Sequence, residues 1–401
     1  MDGIVIIGAG EAGTRAAFAV REAGFSGVVT LIGNEPHQPY ERPPLSKPDN
    51  GAFQMKPICS ADAMEIAGID YLPGLSATRL DTDGRSVILS DGRVTSYETL
   101  LLATGAHPRR LTCPGTERAL DFRTYANAQV IFSSAKAGKR VAIIGGGLIG
   151  MELAAVLRNK DVAVSIIEAA PKPLGRGVPE RFAAKLHAKH LDEGVHFHLG
   201  QGVAEITHDA VLLADGGTVP ADIVVAAIGV LPDIGLAEAA GLATGNGILT
   251  DAFLRTSDPN IFAAGDCAAV SQPGCGHVRF ESWRNARSQA ETAARNMAGA
   301  NSAFITVPWF WSDQYDLGLQ VTGLPQPGHQ RVVRAFGEGE LEFYLDGGRL
   351  MAAAGLGVGN CIGRDIKLAE MLITAGFSPD PAALADPGVN LKTLLKTARA
   401  A

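Results

Sequence analysis

One glycine pattern occurs twice in this chain, and it restricts the fold more than any other feature. The segments IIGAGEAG, beginning at Ile6, and IIGGGLIG, beginning at Ile143, both match G-x-G-x-x-G. Each follows a run rich in Ile and Val, opens an Ala-rich helical stretch and is followed by an acidic residue about twenty positions on. The patterned glycines are Gly8, Gly10 and Gly13 in the first copy and Gly145, Gly147 and Gly150 in the second.

The chemistry of this pattern is binding of a dinucleotide. The first glycine allows a sharp turn out of a strand, the second allows the backbone to approach a pyrophosphate, and the third allows close packing of helix and strand. The anion then lies at the N-terminus of the helix. A single copy would also fit an ordinary glycine turn of an α/β protein, whereas two copies in the same context predict two bound dinucleotides.

Composition excludes several other classes of protein. The 401 residues are 46% hydrophobic and 19% charged, as in a folded protein with a large core, and the net charge of -7 with a pI near 5.7 does not favour nucleic acid or an anionic membrane. No apolar run of about twenty residues is present, and the N-terminus lacks the features of a signal peptide. We therefore expect a cytoplasmic protein with no nucleic-acid or membrane partner.

The cysteines argue against metal and disulfide chemistry. None of the five forms C-x-x-C or another close pair, so the sequence predicts no metal site and no redox-active disulfide. They are Cys59, Cys113, Cys267, Cys275 and Cys361.

The order of elements predicts an α/β fold with two Rossmann-like dinucleotide-binding domains, in a glutathione-reductase-like architecture, and a C-terminal α+β domain. Asp83-Gly84 and Asp91-Gly92 indicate hairpins between short strands, and 282–297 reads as a helix. The expected domains are 1–106 with 234–306, the inserted segment 107–233, and the C-terminal segment 307–401.

Several separated motifs carry a specific family resemblance over nearly the whole chain. They are PYERPPLSK, LLLATGAHPR, GGGLIGMELAA, AAIGVLP, IFAAGDC, ESWRNARSQA and PWFWSDQ. With these motifs the chain resembles the FAD-dependent, NADH-dependent ferredoxin reductases of oxygenase systems. The resemblance implies that NADH delivers hydride to FAD, and that the electrons pass singly to a 2Fe-2S ferredoxin or a rubredoxin that feeds an oxygenase.

The resemblance implies an FAD site built on the first glycine pattern. Gly33 stands where an acid is usual, so either Asn34 or Glu35 would bind the adenosine ribose, and Trp283 would begin a helix directed at the flavin. The implied FAD contacts are Gly8, Gly10, Ala12, Gly13, Asn34, Glu35, Arg42, Lys47, Ala77, Thr104, Gly105, Arg123, Asp266, Trp283 and Trp311.

The second pattern would hold the nicotinamide cofactor. Glu168 is placed to accept from the ribose 2′-OH and to repel a 2′-phosphate, and Ala169 and Ala170 offer no cation to bind one, so we expect NADH. Arg176 would pair with the cofactor, although a solvated surface arginine is equally consistent with the sequence. The implied contacts are Gly145, Gly147, Leu148, Ile149, Gly150, Glu168, Arg176 and Gly229.

Two residues are implied as catalytic. Glu152 would pair with Lys47 beside the flavin N5, where hydride arrives, although an acid in the first turn of a helix is also favourable for its dipole alone. Trp311 would approach the isoalloxazine ring. The resemblance thus adds Lys47 and Glu152 as a catalytic pair.

Two other functions stay open on the sequence. One is an oxygen-reducing NADH oxidase of the same fold, and the other is an NADH-sensing flavoprotein like apoptosis-inducing factor. The oligomeric state is a monomer or a homodimer. A basic docking face for an acidic ferredoxin could be formed by Arg284, Arg287, Arg295, Arg331 and Arg334.

Overall fold

The structure is a computed structural model that describes residues 3–47, 54–175, 177–272 and 276–400. Within these residues, no helix combines the length and the apolar character that crossing a membrane requires.

The first part of the chain contains two stretches in which strands and helices alternate, each followed by a run of consecutive strands. Residues 3–108 contain β1 (Gly3–Ile7), α1 (Glu11–Glu22), β2 (Val29–Gly33), α2 (Ala61–Ile66), β3 (Ile69–Pro73), β4 (Ala77–Asp81), β5 (Ser86–Leu89), β6 (Val94–Leu102) and β7 (Ala106–Pro108). Residues 119–232 contain β8 (Ala119–Asp121), α3 (Tyr125–Ser134), β9 (Arg140–Ile144), α4 (Leu148–Arg158), β10 (Ala163–Glu168), α5 (Glu180–Asp192), β11 (His196–Leu199), β12 (Val203–Ile206), β13 (Ala210–Leu213), β14 (Thr218–Pro220), β15 (Ile223–Ala226) and β16 (Val230–Pro232). Short 3-10 helices occupy Pro43–Ser46 and Thr116–Arg118.

The last part of the chain ends in a run of strands followed by helices. Residues 235–297 contain α6 (Gly235–Ala239), β17 (Thr244–Gly245), β18 (Gly247–Thr250), β19 (Ile261–Ala263), β20 (Ala268–Gln272), β21 (Gly276–Val278) and α7 (Trp283–Met297). Residues 309–400 contain β22 (Trp309–Gln314), β23 (Leu317–Gly323), β24 (Gln330–Phe336), β25 (Gly339–Asp346), β26 (Arg349–Val358), α8 (Gly363–Thr374), α9 (Pro381–Ala385) and α10 (Leu391–Ala400).

The chain divides into two compact units. The first contains residues 1–44, 54–107 and 230–306, and the second contains residues 45–53, 108–229 and 307–401. The boundaries expected for three separate domains stay a prediction, because packing alone does not separate residues 307–401 from residues 108–229.

The first unit is built on a sheet in which β3, β2, β1, β6 and β19 run parallel. Alternate residues of β1 point to opposite faces of the sheet. Ile4 and Ile6 pack with α1 and α7, whereas Val5 and Ile7 belong to the core on the other face. The antiparallel pairs β4–β5 and β5–β6 confirm both predicted hairpins.

The second unit has a parallel sheet in the order β11-β10-β9-β15-β8 and an antiparallel sheet in the order β22-β23-β26-β25-β24. Val141 and Ile143 of β9 share one core with Leu319 and Val321 of β23. The other face of the antiparallel sheet packs on α8 and α10. These sheets confirm the predicted α/β class with a C-terminal α+β portion, and they place β22 against α4, the helix of the second glycine pattern.

Candidate functional site

The first glycine loop has a separate steric reason for each glycine. Gly8 has a φ of 105°, and a Cβ there would lie 2.1 Å from the carbonyl oxygen of Ala103. A Cβ on Gly13 would lie 1.8 Å from the carbonyl oxygen of Gly8, whereas a Cβ on Gly10 would meet nothing within 4 Å. Gly8 and Gly13 are therefore required by the fold itself, and Gly10 borders open space.

The second glycine loop repeats this geometry closely. Gly145 has a φ of 111°, and a Cβ there would lie 2.4 Å from the carbonyl oxygen of Ala227. A Cβ on Gly150 would lie 2.1 Å from the carbonyl oxygen of Gly145, and one on Gly147 would again meet nothing within 4 Å.

Both helices that follow these loops have N-termini able to receive an anion. Gly10 caps α1 and Gly147 caps α4, with φ of -77° in each case and no side-chain hydrogen bond to the first turn. Backbone N–H groups at a helix start carry a partial positive charge and suit a pyrophosphate. The two cradles thus fit the phosphates of two dinucleotides.

Glu168 ends β10 directly beside the second loop. Its Oε2 accepts a hydrogen bond of 2.6 Å from the backbone N–H of Gly146, and its Oε1 accepts one of 2.8 Å from that of Ala170. The carboxylate is therefore oriented by backbone groups on both sides.

The first unit has no acid at the corresponding strand end. A Cβ on Gly33 would lie 2.7 Å from that of Ala9, so the close approach of the loop excludes a side chain there. Glu35 is fixed instead by Arg42, at 2.8 Å, and by the Tyr40 hydroxyl, at 2.5 Å. Asn34 is exposed.

The other positions expected to contact FAD lie in both units. The Thr104 hydroxyl donates to the carbonyl of Asp233 at 2.6 Å, and Gly105 has a φ of 75°. Trp283 begins α7, which Ser282 caps by accepting from a backbone N–H. Those positions are Ala12 at the start of α1, Ala77 at the start of β4, Thr104 and Gly105 after β6, Asp266 after β19, and Trp283 in the first unit, with Lys47, Arg123 and Trp311 in the second.

Three expected contacts of the nicotinamide cofactor lie around the second loop. Leu148 and Ile149 form the first turn of α4, and Ile149 is exposed. Gly229 has a φ of 95°, and its carbonyl accepts from the Arg109 N–H at 3.0 Å. Arg176 lies outside the described residues.

The structure brings Lys47 and Glu152 together. Glu152 is 3% exposed, and its Oε1 lies 3.5 Å from the Nζ of Lys47. The Ser46 and Ser312 hydroxyls donate to its two carboxylate oxygens at 2.5 and 2.6 Å. Burial raises the pKa of Glu152, and Lys47, Ser312 and Ser46 oppose that rise. Hydrogen bonds this short are typical of hydroxyls bound to an ionised carboxylate.

Lys47 has two further contacts. Its Nζ lies 3.4 Å from Oδ2 of Asp313 and 4.4 Å from the centre of the Trp311 ring. Trp311 donates to Asp313 at 3.0 Å and stacks on Trp309, with ring centres 5.2 Å apart. The ammonium is thus held between a buried carboxylate, a more exposed one and an aromatic face.

Comparison with known families agrees with these two loops. Residues 2–290 match the family model described as pyridine nucleotide-disulphide oxidoreductase, and residues 309–395 match the one described as reductase C-terminal. The chain belongs to the pyridine nucleotide-disulphide oxidoreductases. It is therefore an oxidoreductase.

Two relatives that the chain matches over nearly its full length are named as reductases. One is the ferredoxin--NAD(+) reductase component of the anthranilate 1,2-dioxygenase system of Burkholderia cepacia, 41% identical, with 98% of this chain and 99% of the relative covered. Another is putidaredoxin reductase of Pseudomonas putida, 35% identical over 100% of this chain and 98% of the relative.

A solved structure is similar over the full length. The covalent putidaredoxin reductase–putidaredoxin complex contains a chain of 34% identity with a TM-score of 0.93, covering 100% of this chain and 99% of that one. These findings confirm the family resemblance to ferredoxin reductases.

The cysteines of this pyridine nucleotide-disulphide oxidoreductase form no disulfide among the described residues. Cys59, Cys113, Cys267 and Cys361 are all free thiols. Burial raises the pKa of Cys59, Cys113 and Cys267, which disfavours the reactive thiolate. These three residues therefore favour the protonated thiol form.

One suggested docking residue is wrong. Arg334 is 4% exposed, and its guanidinium donates to the backbone carbonyls of Leu384, Pro387 and Val389. It holds the segment between α9 and α10 and is not available to a partner. The other four arginines stay a prediction.

Sequence reasoning missed the polar residues around Glu152. Ser312 and Gln314 are alternate residues of β22, so both point inward while Trp311 and Asp313 lie on the other face. His190 is buried on α5 in line with Phe182 and Leu186 at four-residue spacing. The sequence offered one signal for these residues: each is polar at a position where the periodicity of its strand or helix predicts an apolar residue.

Proposed function

We propose that this oxidoreductase is an FAD-containing, NADH-dependent ferredoxin reductase. The observation that carries the proposal is the pair of matching glycine cradles, in a chain that aligns over nearly its full length with ferredoxin reductases. FAD, when bound, would supply a centre that accepts two electrons as hydride and releases them one at a time.

We assign FAD to the segments 1–106 and 234–306. The start of α1 would hold its pyrophosphate, and the Arg42–Tyr40–Glu35 group would lie at its adenosine end. Glu35 is the better candidate for the ribose, because its carboxylate is oriented by two donors.

We assign NADH to the segment 107–233. The first turn of α4 would bind its pyrophosphate, and Glu168 would accept from the ribose 2′-OH. Its position at the loop, with Ala170 next to it, would disfavour the 2′-phosphate of NADPH by charge repulsion. Residues 307–401 would form the third domain and contribute β22 to the reactive end.

We assign the catalytic roles to Lys47 and Glu152. The Lys47 ammonium would donate a hydrogen bond at the reacting end of the flavin, and Glu152 would hold that ammonium in place. Asp313 and Trp311 limit its other positions. A fixed cation in a site of low dielectric stabilises negative charge that develops during reduction.

The acceptor would be a ferredoxin that feeds an oxygenase, as the name of the relative from Burkholderia cepacia suggests, and we assign it a 2Fe-2S cluster. The electron balance requires two carriers, since one NADH becomes NAD+ and one proton while it supplies two electrons. Each electron reduces one ferredoxin.

The test is a steady-state assay of NADH oxidation with and without a 2Fe-2S ferredoxin. We expect a large increase on addition of ferredoxin, with two ferredoxins reduced for each NADH consumed. Unchanged NADH oxidation together with matching oxygen consumption would instead identify an NADH oxidase. A slow flavin reduction accompanied by a change of oligomeric state would identify an NADH-sensing protein. The Gln330→Met variant, altered at an exposed residue at the start of β24, serves as a control for general damage.

A further inference from the structure

A chain of hydrogen bonds leads from Glu152 into the interior of the second unit. Ser312 donates to Glu152, the Gln314 amide donates to Ser312 at 3.0 Å, and Oε1 of Gln314 lies 2.9 Å from Nε2 of His190. The hydroxyl of Tyr315 lies 3.2 Å from Nδ1 of the same ring. Ser312, Gln314 and His190 are at most 1% exposed.

The ionised state of Glu152 determines the direction of every bond in this chain. An ionised carboxylate only accepts, so Ser312 must commit its single proton to it and must itself accept from Gln314. The NH2 group of Gln314 therefore faces Ser312, and its carbonyl oxygen faces His190. That oxygen needs a donor, so Nε2 of His190 carries the proton and Nδ1 accepts from Tyr315.

The surroundings of His190 favour a neutral ring with one tautomer. Burial lowers the pKa of His190 to about 4. A neutral imidazole has one N–H, and two described groups lie within hydrogen-bond distance of the ring: the Gln314 carbonyl oxygen, which can only accept, and the Tyr315 hydroxyl, which can donate as well as accept. Which ring nitrogen carries the proton therefore depends on the direction of the hydrogen bonds that begin at Glu152.

The side-chain amide of Gln314 determines whether this series of hydrogen bonds can conduct protons. A side-chain amide can pass a proton only through its unstable imidic acid form, so Gln314 makes the chain a poor path for protons. An amide has a fixed donor end and a fixed acceptor end, so it can fix the orientation of the groups hydrogen-bonded to its two ends.

We propose that Gln314 and His190 are positioning residues that act through Ser312 to orient the ionised Glu152 carboxylate beneath Lys47, and that His190 is held as the Nε2–H tautomer by this chain. The positioning role of Gln314 and His190 rests on the proposed function, in which Glu152 acts by holding Lys47. The tautomer of His190 does not depend on it.

The first test is nitrogen NMR of the holoenzyme labelled with 15N-histidine. We expect His190 to be entirely the Nε2–H tautomer in the wild type and a mixture of tautomers in Ser312→Ala, which breaks the chain at Glu152. Gln314→Met breaks it at the next bond and should give the same mixture. Gln330→Met removes an exposed amide at the start of β24, and should change nothing. An Nδ1–H tautomer in the wild type, or an unchanged ring in both variants, would overturn the proposal.

The second test is a double-mutant cycle on flavin reduction by NADH, followed by stopped flow. We expect Gln314→Met to lower the limiting rate about three- to tenfold and to leave the half-saturating NADH concentration unchanged. In a Glu152→Gln background the same substitution should change the rate less than about twofold, because residues acting through one another are not additive. Equal effects in the two backgrounds would show a merely structural role and contradict the proposal. Failure of the wild type to reduce ferredoxin would contradict only the proposed function.

Discussion

The Nζ atom of Lys47 lies 3.5 Å from the carboxylate of Glu152, and the two residues are held very differently. Glu152 is buried and accepts two short hydrogen bonds, whereas Lys47 is partly exposed and divides its charge between Glu152 and Asp313. The carboxylate is therefore fixed by its own hydrogen bonds, and the ammonium is restrained by Glu152 together with Asp313 and the Trp311 ring.

Loss of Lys47 should destabilise the protein in a pH-dependent way. Lys47→Met leaves the Glu152 charge buried without its cation, at a cost of roughly 3 kcal/mol in the free energy of unfolding. Because burial raises the pKa of Glu152, the acid form relieves this cost, so stability is retained at low pH and lost as the pH rises. Urea unfolding at about pH 5 and about pH 8 measures the difference. Lys47→Met combined with Glu152→Gln should restore stability at the higher pH, and an equal loss at both pH values would contradict the expectation.

The glycines of the second loop should divide into two groups. Gly150→Ala places a Cβ 2.1 Å from the carbonyl oxygen of Gly145, so we expect it to destabilise the unit by about 3 kcal/mol or more. In Gly147→Val the added Cβ meets no atom within 4 Å and the residue keeps an ordinary φ of -77°, so the stability of the protein should change by less than about 1 kcal/mol. It should nevertheless bind NADH at least about tenfold more weakly, because its side chain enters the space at the helix start. Urea unfolding and calorimetric titration separate the effects, and tight NADH binding by a folded Gly147→Val would contradict them.

Replacement of Glu168 should relax the choice between NADH and NADPH. Glu168→Gln keeps an oxygen for one backbone N–H while removing the negative charge, so the ratio of kcat/KM for NADH to that for NADPH should fall about tenfold. The loss of one backbone hydrogen bond should also raise KM for NADH. Steady-state kinetics with both coenzymes give the ratio. Glu35→Gln, in the first unit, is the matched control and should leave this ratio unchanged.

His190 should make the protein less stable in mild acid. Its pKa is lowered to about 4 in the folded protein by burial, whereas an unfolded histidine titrates near 6.5. The unfolded state therefore gains a proton first, and stability is present above about pH 6.5 and falls as the pH decreases to about 4, by roughly 3 kcal/mol in total. Urea midpoints across this range should fall less steeply in His190→Gln. The exposed residue His208 provides the control, since His208→Gln should keep the wild-type slope.

Short-range patterns were sufficient for much of the fold. The two glycine patterns, the hairpins at Asp83-Gly84 and Asp91-Gly92, and the helix starting at Trp283 are each indicated by residues that are close together in the sequence. Gly8 and Gly145 adopt positive φ because each turns sharply at the end of a strand. Such local constraints are visible in the order of residue types.

Other features could not be predicted because they depend on residues far apart in the chain. Arg334 looked like a surface cation, yet three backbone carbonyls from 50 to 55 positions along the chain surround it. Gln314 and His190 come from a strand and a helix separated by 124 positions. Burial of a polar group is stable only when a partner satisfies it, and the identity of that partner is set by packing.

The sequence by itself determined that this chain carries two dinucleotide cradles and belongs with the ferredoxin reductases, since the spacing of the glycines and of the other motifs can be read from the local order of residues. Only the tertiary structure decided what surrounds the predicted pair Lys47 and Glu152. Packing of β22 against α4 brings Ser312 and Asp313 to them, and burial of Ser312 and Glu152 in that contact strengthens the hydrogen bond between them by excluding water.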